Sequence, residues 1–464
     1  MTTLDNGSGL LEQPVSMQSL AAGHMPAHGL SRGLQRRHIA LITLGGVIGA
    51  GLFVGSSASI SAVGPAVVLS YLIAGAIVYA VMAMIGELAS ASPGVQAFTD
   101  LVRASTGPGM GFVVGWLYWY MWIVTMSVEA LAGAALLQAW VPLPVWLLSA
   151  LLLMLLMGIN LLPTRSFGEF EFWFSSIKVV AIIGFIALGL GYCFGSPAAR
   201  SAAWMHLSAQ PGFMPHGIGS VLTGVVTVFF SLTGAELTTI AAVEARESAG
   251  VNAGLAAALI GRIILFYVGS VFVIVCVMPW SSVVPGNSPF TAALKLVGFK
   301  PAETMMTAVI LTAVLSCLNS GFYASSRVLF SLAGNGDAPQ ALIKLNALRV
   351  PVRSVLLGAF TAALCLVAAV VAPKTAFAFL VNATGCLILF IYLGVCIAHL
   401  ARRDTGASQR RLPRWITYLT IAAMLGLLIA MGVQAQLSSQ LYVSSTTLGI
   451  ALCAYWLLRR RSPR

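Results

Sequence analysis

The chain has 464 residues and a net charge of +12, yet only 8% of its residues are charged and 59% are apolar, with a mean hydropathy of +0.93. Soluble domains carry roughly 25% charged residues, so this composition excludes a water-soluble globular protein. What remains is an integral membrane protein whose surrounding solvent is mostly lipid.

Residues 1–36 are polar and small, with Asp5 and Glu12 and no signal-peptide pattern, and read as a disordered cytosolic tail. Twelve stretches are long and apolar enough to cross a bilayer, which takes about 20 residues. The first six are Ile39–Ile60, Ala66–Ala89, Met110–Gln138, Val145–Leu162, Phe172–Gly195 and Gly217–Ala242. The next six are Ala256–Val277, Met305–Leu332, Val355–Val371, Ala376–Leu400, Trp415–Val433 and Val443–Leu458. They are numbered here as spans 1 to 12. With the N-terminus inside, eighteen of the 25 Lys and Arg residues fall on cytosolic segments, four on external loops and three within spans. That bias places both termini in the cytosol. It also accounts for the basic charge without a nucleic-acid partner.

Span 1 carries Gly45, Gly46, Gly49 and Gly51 around Val47, Ile48, Ala50, Leu52 and Phe53. Each glycine weakens a helix by roughly 1 kcal/mol against alanine. Close helix packing is one reading of such a cluster. A break lining a cavity is the other, because irregular backbone at membrane depth is tolerated where it is buried or faces a cavity. Span 6 has a second weak point, Ser231-Leu232-Thr233-Gly234-Ala235-Glu236. The two weak points open spans 1–5 and spans 6–10, which enter the membrane from opposite sides. Paired interruptions in inverted halves point to the binding site of a secondary transporter. A broken helix exposes amide groups at a half-helix N-terminus, where a carboxylate binds. The amides of Ile48, Gly49, Ala50, Gly51, Leu52 and Phe53 are expected there. The carbonyls near Phe230, Ser231, Thr233 and Gly234 are expected to meet an ammonium group. The pattern therefore suits an amino acid.

Ionisable residues inside the bilayer each need a reason. Glu87 ends span 2 and reads either as a snorkelling residue or as one beside a gate. Glu129, in the outer half of span 3, either meets a substrate amine or pairs with another polar group. Glu236 follows the span 6 break and either bridges it, carries a proton, or does both. Lys178 has apolar neighbours in the inner half of span 5. Desolvation disfavours its ammonium form, so it suits a group that gains and loses a proton in a transport cycle; a permanently charged tether is the alternative. Arg262 and Arg327 read as snorkelling residues. The seven cysteines, none in a CxxC pair, read as buried inert thiols rather than a zinc site or disulfides. No nucleotide-binding loop, HExxH or nucleophile triad is present. No enzyme activity, cofactor or metal is expected, and an ion gradient or the substrate's own gradient supplies the energy.

From about Arg37 to Leu400 the chain resembles the amino acid transporter family of the amino acid–polyamine–organocation superfamily. The resemblance rests on Gly46 to Phe53, Gly64-Pro65, Gly86-Glu87 with Pro93, Trp116 to Trp119, Phe167 to Trp173, Lys178, Gly234-Ala235-Glu236, Ser316 to Ser320 and Gly336 to Pro339. It implies an all-α fold of twelve transmembrane helices, a leucine-transporter-type 5+5 inverted repeat with helices 1 and 6 broken and substrate between them. It also implies proton-coupled amino acid uptake, with Lys178 filling the space of a sodium site in sodium-coupled relatives. The transport core would be residues 37–400, with residues 401–464 forming helices 11 and 12 and a cytosolic end. The 4-aminobutyrate permeases are similar at Gly212 to Gly217, at Thr238 to Glu244, at Ser316 to Ser320 and at Ala50, where many α-amino acid carriers have threonine. The stretch from Gly94 to Leu101 departs from the family's pattern.

The expectation is a proton-coupled importer of 4-aminobutyrate or a similar small ω-amino acid in the cytoplasmic membrane. The runner-up is a permease for a neutral or aromatic α-amino acid; an uncoupled channel or a sensor is a third reading. Asn319 and Tyr323 on span 8 are further candidate lining residues.

Overall fold

The computed structural model describes residues 47–90, 92, 97–208, 212–237, 261, 263–298, 300–371, 373–402 and 412–461. The N-terminal tail, Gly45, Gly46, Arg262, Thr238–Glu244 and the Gly94–Gln96 part of the departing stretch lie outside them. Among the described residues every regular element is helical.

Every expected span has a helical counterpart. Span 1 is a wide π turn, Gly51–Gly55, running into α1, Ser56–Val63. Then follow α2 (Val67–Ser90), α3 (Phe98–Thr106), α4 (Pro108–Leu137), α5 (Val145–Asn160), α6 (Thr164–Phe194), α7 (Pro197–Ser208) and α8 (Gly217–Leu232). A second π turn, Ile263–Val268, leads into α9 (Gly269–Val277). The remainder are α10 (Pro289–Leu296), α11 (Lys300–Gly334), α12 (Val352–Val371), α13 (Pro373–Arg402), α14 (Arg414–Val433) and α15 (Ala435–Arg461). The helices α3, α7 and α10 lie between spans; of these, α3 is strongly amphipathic, with Asp100 and Arg103 on its polar side.

Helix ends follow from the residues at them. Gly64 adopts φ +78 and leads Pro65 into a single tight turn between α1 and α2. A side chain at Gly64 would collide with Pro215, and the Ala66 amide donates to Phe213 O at 3.0 Å. The stretch from Gly212 to Gly217 thereby pins the α1–α2 turn, and His216 Nδ1 bonds Ala62 O at 2.9 Å. At the far end of α11, Gly336 adopts φ +79; its amide donates to Ala333 O and the Asp337 amide to Leu332 O. That is a Schellman motif, which satisfies carbonyls the helix itself leaves open. It turns Asp337 onto Arg103 of α3 and places its carbonyl at the Trp116 indole.

The centre of the bundle is α4, which packs against α11, α13, α5 and α12. In turn α8 packs on α2, α13 and the span 1 segment. At the periphery, α14 and α15 expose Trp415, Leu419, Ile429, Ile450 and Leu457. Apolar surface on that scale suits lipid rather than water.

Two expectations need correction. Arg327 is buried, its guanidinium 4.3 Å over the Tyr323 ring and bonded to Ser326 Oγ, because aromatic and hydroxyl partners meet it inside the bundle. All seven cysteines are free, but Cys453 is exposed and Cys365 half-buried, because α15 and α12 turn them outwards.

Candidate functional site

Span 1 is irregular at Val47, Ile48 and Gly49, and its helix begins at Ala50. A helix start leaves its first amides without partners in the helix; here one of them, and two carbonyls of the irregular residues before it, are met by side chains from three other spans. Tyr267, from the π turn of span 7, donates to Val47 O at 2.8 Å. Lys178 Nζ on α6 donates to Ile48 O at 3.0 Å. The Ala50 amide donates to both carboxylate oxygens of Glu129 on α4, at 3.1 and 3.0 Å. The break therefore presents one carbonyl to an ammonium and one amide to a carboxylate, two residues apart. The Phe53 amide reaches back to Gly49 O at 3.4 Å. The amides of Gly51 and Leu52 belong to the same first turn.

The glycines permit this close approach. A Cβ on Gly49 would lie 2.6 Å from Glu129 Oε1 and 2.7 Å from Cys317 Cβ. A Cβ on Gly51 would lie 2.6 Å from Ser231 Cα on α8. Both readings of the glycine cluster therefore apply together: the glycines pack closely, and they do so at an interruption.

Span 6 is interrupted as expected. Its first half, α8, ends at Leu232; Thr233 is extended (φ −63, ψ 140) and Gly234 adopts φ +108. Thr233 Oγ1 folds back on Phe229 O. Glu236 bridges the break: its Oε1 accepts from the Gly234 amide at 3.2 Å and its Oε2 from Tyr392 OH on α13 at 3.2 Å. The α8 helix stops at Leu232, and the chain passes through a turn over residues 233–236 before the described part of the span ends at Leu237.

The structure thus brings Ile48, Gly49, Ala50 and Gly51 together with Glu129, Lys178, Phe230 and Ser231, with Thr233, Gly234 and Glu236 at the adjoining break. The side chains of the other expected residues face elsewhere, while the Leu52 and Phe53 amides stay in the first turn of the break. The Phe53 ring packs tilted against Phe290 of α10, 4.9 Å between centroids, and the Leu52 side chain is fully buried. Asn319 accepts from Asn160 Nδ2 at 2.8 Å. Tyr323 stacks flat on Phe167 of α6 at 4.3 Å. Asn319 and Tyr323 lie along the α6–α11 contact, beyond Lys178 towards the start of α6.

Three residues of this region escaped the sequence reading. Tyr267 is one. Ser316 on α11 is another; it accepts from Lys178 Nζ at 2.8 Å. The third is Glu171, whose Oε1 lies 4.0 Å from Lys178 Nζ and accepts from both Ser316 and Ser175. Glu171 and Lys178 are both fully buried. The missed signal was spacing: seven residues is about two helical turns, which puts Glu171 and Lys178 on one stripe of α6.

An amino acid permease model matches residues 38–464. The chain belongs to the amino acid permease family. It is 40% identical to a gamma-aminobutyric acid permease of Bacillus subtilis, over 93% of this chain and 94% of that one. It is 37% identical to an aromatic amino acid transport protein of Corynebacterium glutamicum, over 89% and 92%. Among solved structures, a variant of a manganese transporter from Eremococcus coleocola superposes with a TM-score of 0.57 over 98% of both chains, at 12% identity. That likeness is one of fold, and the fold is the leucine-transporter type, with twelve spans of which the first and sixth are interrupted. Among the described residues no cluster of three or more His, Cys, Asp or Glu side chains is arranged to hold a metal. The permease is a multi-pass membrane protein, and its family transports amino acids.

Proposed function

We propose that this permease imports 4-aminobutyrate, or a related small ω-amino acid, together with protons across the cytoplasmic membrane, with both termini in the cytosol. One observation carries the reading: the span 1 break is held between an ammonium, Lys178 on Ile48 O, and a carboxylate, Glu129 on the Ala50 amide, directly beside the span 6 break. The break is thereby filled by the two charged groups of an amino acid, supplied by the protein itself.

In this mechanism the substrate carboxylate replaces that of Glu129 at the Ala50 amide and extends to the amides of Gly51 and Leu52. Exchanging one carboxylate for another at the same donor costs little. The released Glu129 and the terminal carbonyls of α8 face the substrate ammonium, while Glu236 keeps the span 6 break in shape. The small side chain of Ala50 leaves room along the chain of an ω-amino acid. Lys178 carries the proton. As an ammonium it ties span 1 to α6 and α11 through charge-assisted bonds, which are stronger than neutral ones. Giving up the proton loosens that tie and frees span 1 to move. The likeness to a 4-aminobutyrate permease over most of the chain supports the substrate; the likeness to an aromatic carrier favours an aromatic α-amino acid as the second reading.

The test is uptake of labelled 4-aminobutyrate into sodium-free proteoliposomes, with and without an inward proton gradient, against a panel of competitors. The expected result is gradient-driven accumulation, competed by ω-amino acids and poorly by α-amino acids. Accumulation of an aromatic α-amino acid instead would overturn the substrate and keep the mechanism. In Lys178→Ala, accumulation is expected to vanish while substrate-induced thermal stabilisation is retained in part. Undiminished accumulation would remove Lys178 from coupling.

A further inference from the structure

The lysine that carries the proton needs somewhere to send it, and the geometry around it is directional. Lys178 Nζ donates to Ser316 Oγ at 2.8 Å, and Ser316 Oγ spends its one hydrogen on Glu171 Oε1. Ammonium, hydroxyl and carboxylate thus form a donor-to-acceptor chain pointing one way. All three side chains are fully buried. Ser175 supports the acceptor by donating to the same Glu171 oxygen at 3.3 Å. The second oxygen, Glu171 Oε2, is buried, and among the described residues no hydrogen-bond donor lies within 3.5 Å of it; the Asn319 side chain is the next polar group facing the carboxyl.

One turn along α11 from Ser316, the Asn319 side chain faces the Glu171 carboxyl, and among the described residues neither Asn319 Nδ2 nor the neighbouring Ser320 Oγ, both buried, has a hydrogen-bond partner within 3.5 Å. Buried groups of this kind are rare and call for an explanation. Here they continue the line of Ser316 along one face of α11, since residues three and four apart share a helix face. The line ends where Tyr323 stacks on Phe167, with the Arg327 guanidinium 4.3 Å from the centroid of the Tyr323 ring.

We propose that Glu171 receives the proton that Lys178 releases, handed over through the Ser316 hydroxyl, and passes it along the Asn319–Ser320 face towards the start of α6. The inference rests on the reading of Lys178 as the proton carrier. The step balances without any further reactant. One N–H bond of the Lys178 ammonium breaks as an O–H bond forms at Ser316, and the original Ser316 O–H breaks as one forms at Glu171. A buried ammonium–carboxylate pair becomes a neutral amine and a neutral acid. Both charges leave the low-dielectric interior at once, which removes the desolvation cost of a buried ion pair. The other titratable groups facing Lys178 are Glu129 from α4 and Cys317 from α11, and Tyr267 stands at the neighbouring Val47 carbonyl. None of these is joined to Lys178 through a bridging hydroxyl in the way Glu171 is. Glu129 is in addition held at the Ala50 amide.

The experiment compares Glu171→Gln with the wild type in proteoliposomes by two readouts: accumulation of labelled 4-aminobutyrate driven by a proton gradient, and counterflow exchange with 4-aminobutyrate on both sides and no gradient. Glutamine keeps the shape and still accepts from Ser316, but it takes up no proton. The expected result is accumulation reduced about a hundredfold or more, the lower end of the scale for losing a positioned proton-transfer group, with its pH dependence flattened and exchange retained. Wild-type accumulation with an unchanged pH profile would overturn the handover. Should Glu171→Gln not fold, the serine decides: Ser316→Thr keeps the hydroxyl and is expected to accumulate, while Ser316→Ala breaks the chain and is expected not to. Full accumulation by Ser316→Ala would overturn the proposal. A wild type that exchanges substrate but never accumulates it on a proton gradient would overturn the proton reading itself, and this step with it.

Discussion

Gly51 and Gly55 are four residues apart in the same π turn, yet they answer to different constraints. A methyl group at Gly51 would lie 2.6 Å from the Ser231 backbone, whereas at Gly55 the nearest atom is Ala50 O at 3.6 Å. Gly51→Ala is therefore expected to cost about 1–3 kcal/mol, the range for overpacking a close contact, and to abolish transport by pushing α8 away from span 1. Gly55→Ala is expected to be neutral or slightly stabilising, since alanine is the better helix former. Thermal melts of the two purified variants, with uptake assays beside them, check the contrast; equal behaviour would mean that the glycines serve flexibility and not approach. Gly49 offers no such clean test. A larger residue there meets Glu129 and Cys317 before it meets any substrate.

How much of the site was legible depended on contrast with the surroundings. Lys178 and Glu236 stood out because each is a charge in an apolar run, and the glycine cluster because helices rarely hold so many. Glu171 did not. It shares its stretch with Glu169 and Arg165 near the start of α6, where charges are ordinary. At about 100° per residue, only Glu171 falls on the Lys178 stripe, while Glu169 falls opposite. Ser316 and Tyr267 are unremarkable residues whose role comes from the helix facing them, which a single sequence does not reveal. Asn319 and Tyr323 were placed on the right helix, but their partners are Asn160 and Phe167 rather than the span 1 break.

At the scale of elements, the ends of the helices are tied together by polar contacts that sit apart from the broken spans. Glu87 at the end of α2 accepts from His399 of α13 at 2.9 Å and from the Leu412 amide at 2.7 Å. Asp100 of α3 accepts from Ser331 of α11 and from Asn335 just past its end. Arg103 pairs with Asp337. Burial pushes the Asp337 carboxyl up from its ordinary value, while the Arg103 guanidinium pulls it back. Arg103→Ala leaves the carboxylate buried without that cation and is expected to cost about 1–3 kcal/mol. The sign of its pH dependence follows. With Arg103 gone, the folded state binds the Asp337 proton more tightly than the unfolded chain does. Stability is therefore lost as pH rises through the folded value, and the deficit is larger at about pH 8 than at about pH 5. Melting curves at the two pH values check this; a deficit independent of pH would mean that Arg103 acts through packing alone.

At the scale of the molecule, the bundle joins two interruptions that the sequence separates by some 180 residues. Gly51 meets Ser231 where they join, Glu129 reaches in from α4, and Lys178 from α6. Transport then requires that the substrate compete with the protein's own charges at the break and that the lysine change its protonation as span 1 moves. The most direct test is substrate-driven proton flux. Wild-type permease is reconstituted in sodium-free liposomes holding a pH-sensitive dye, with no gradient imposed, and 4-aminobutyrate is added outside. Acidification of the interior in step with uptake is the predicted result. Uptake with no change in internal pH would contradict proton coupling, and with it the role assigned to Lys178.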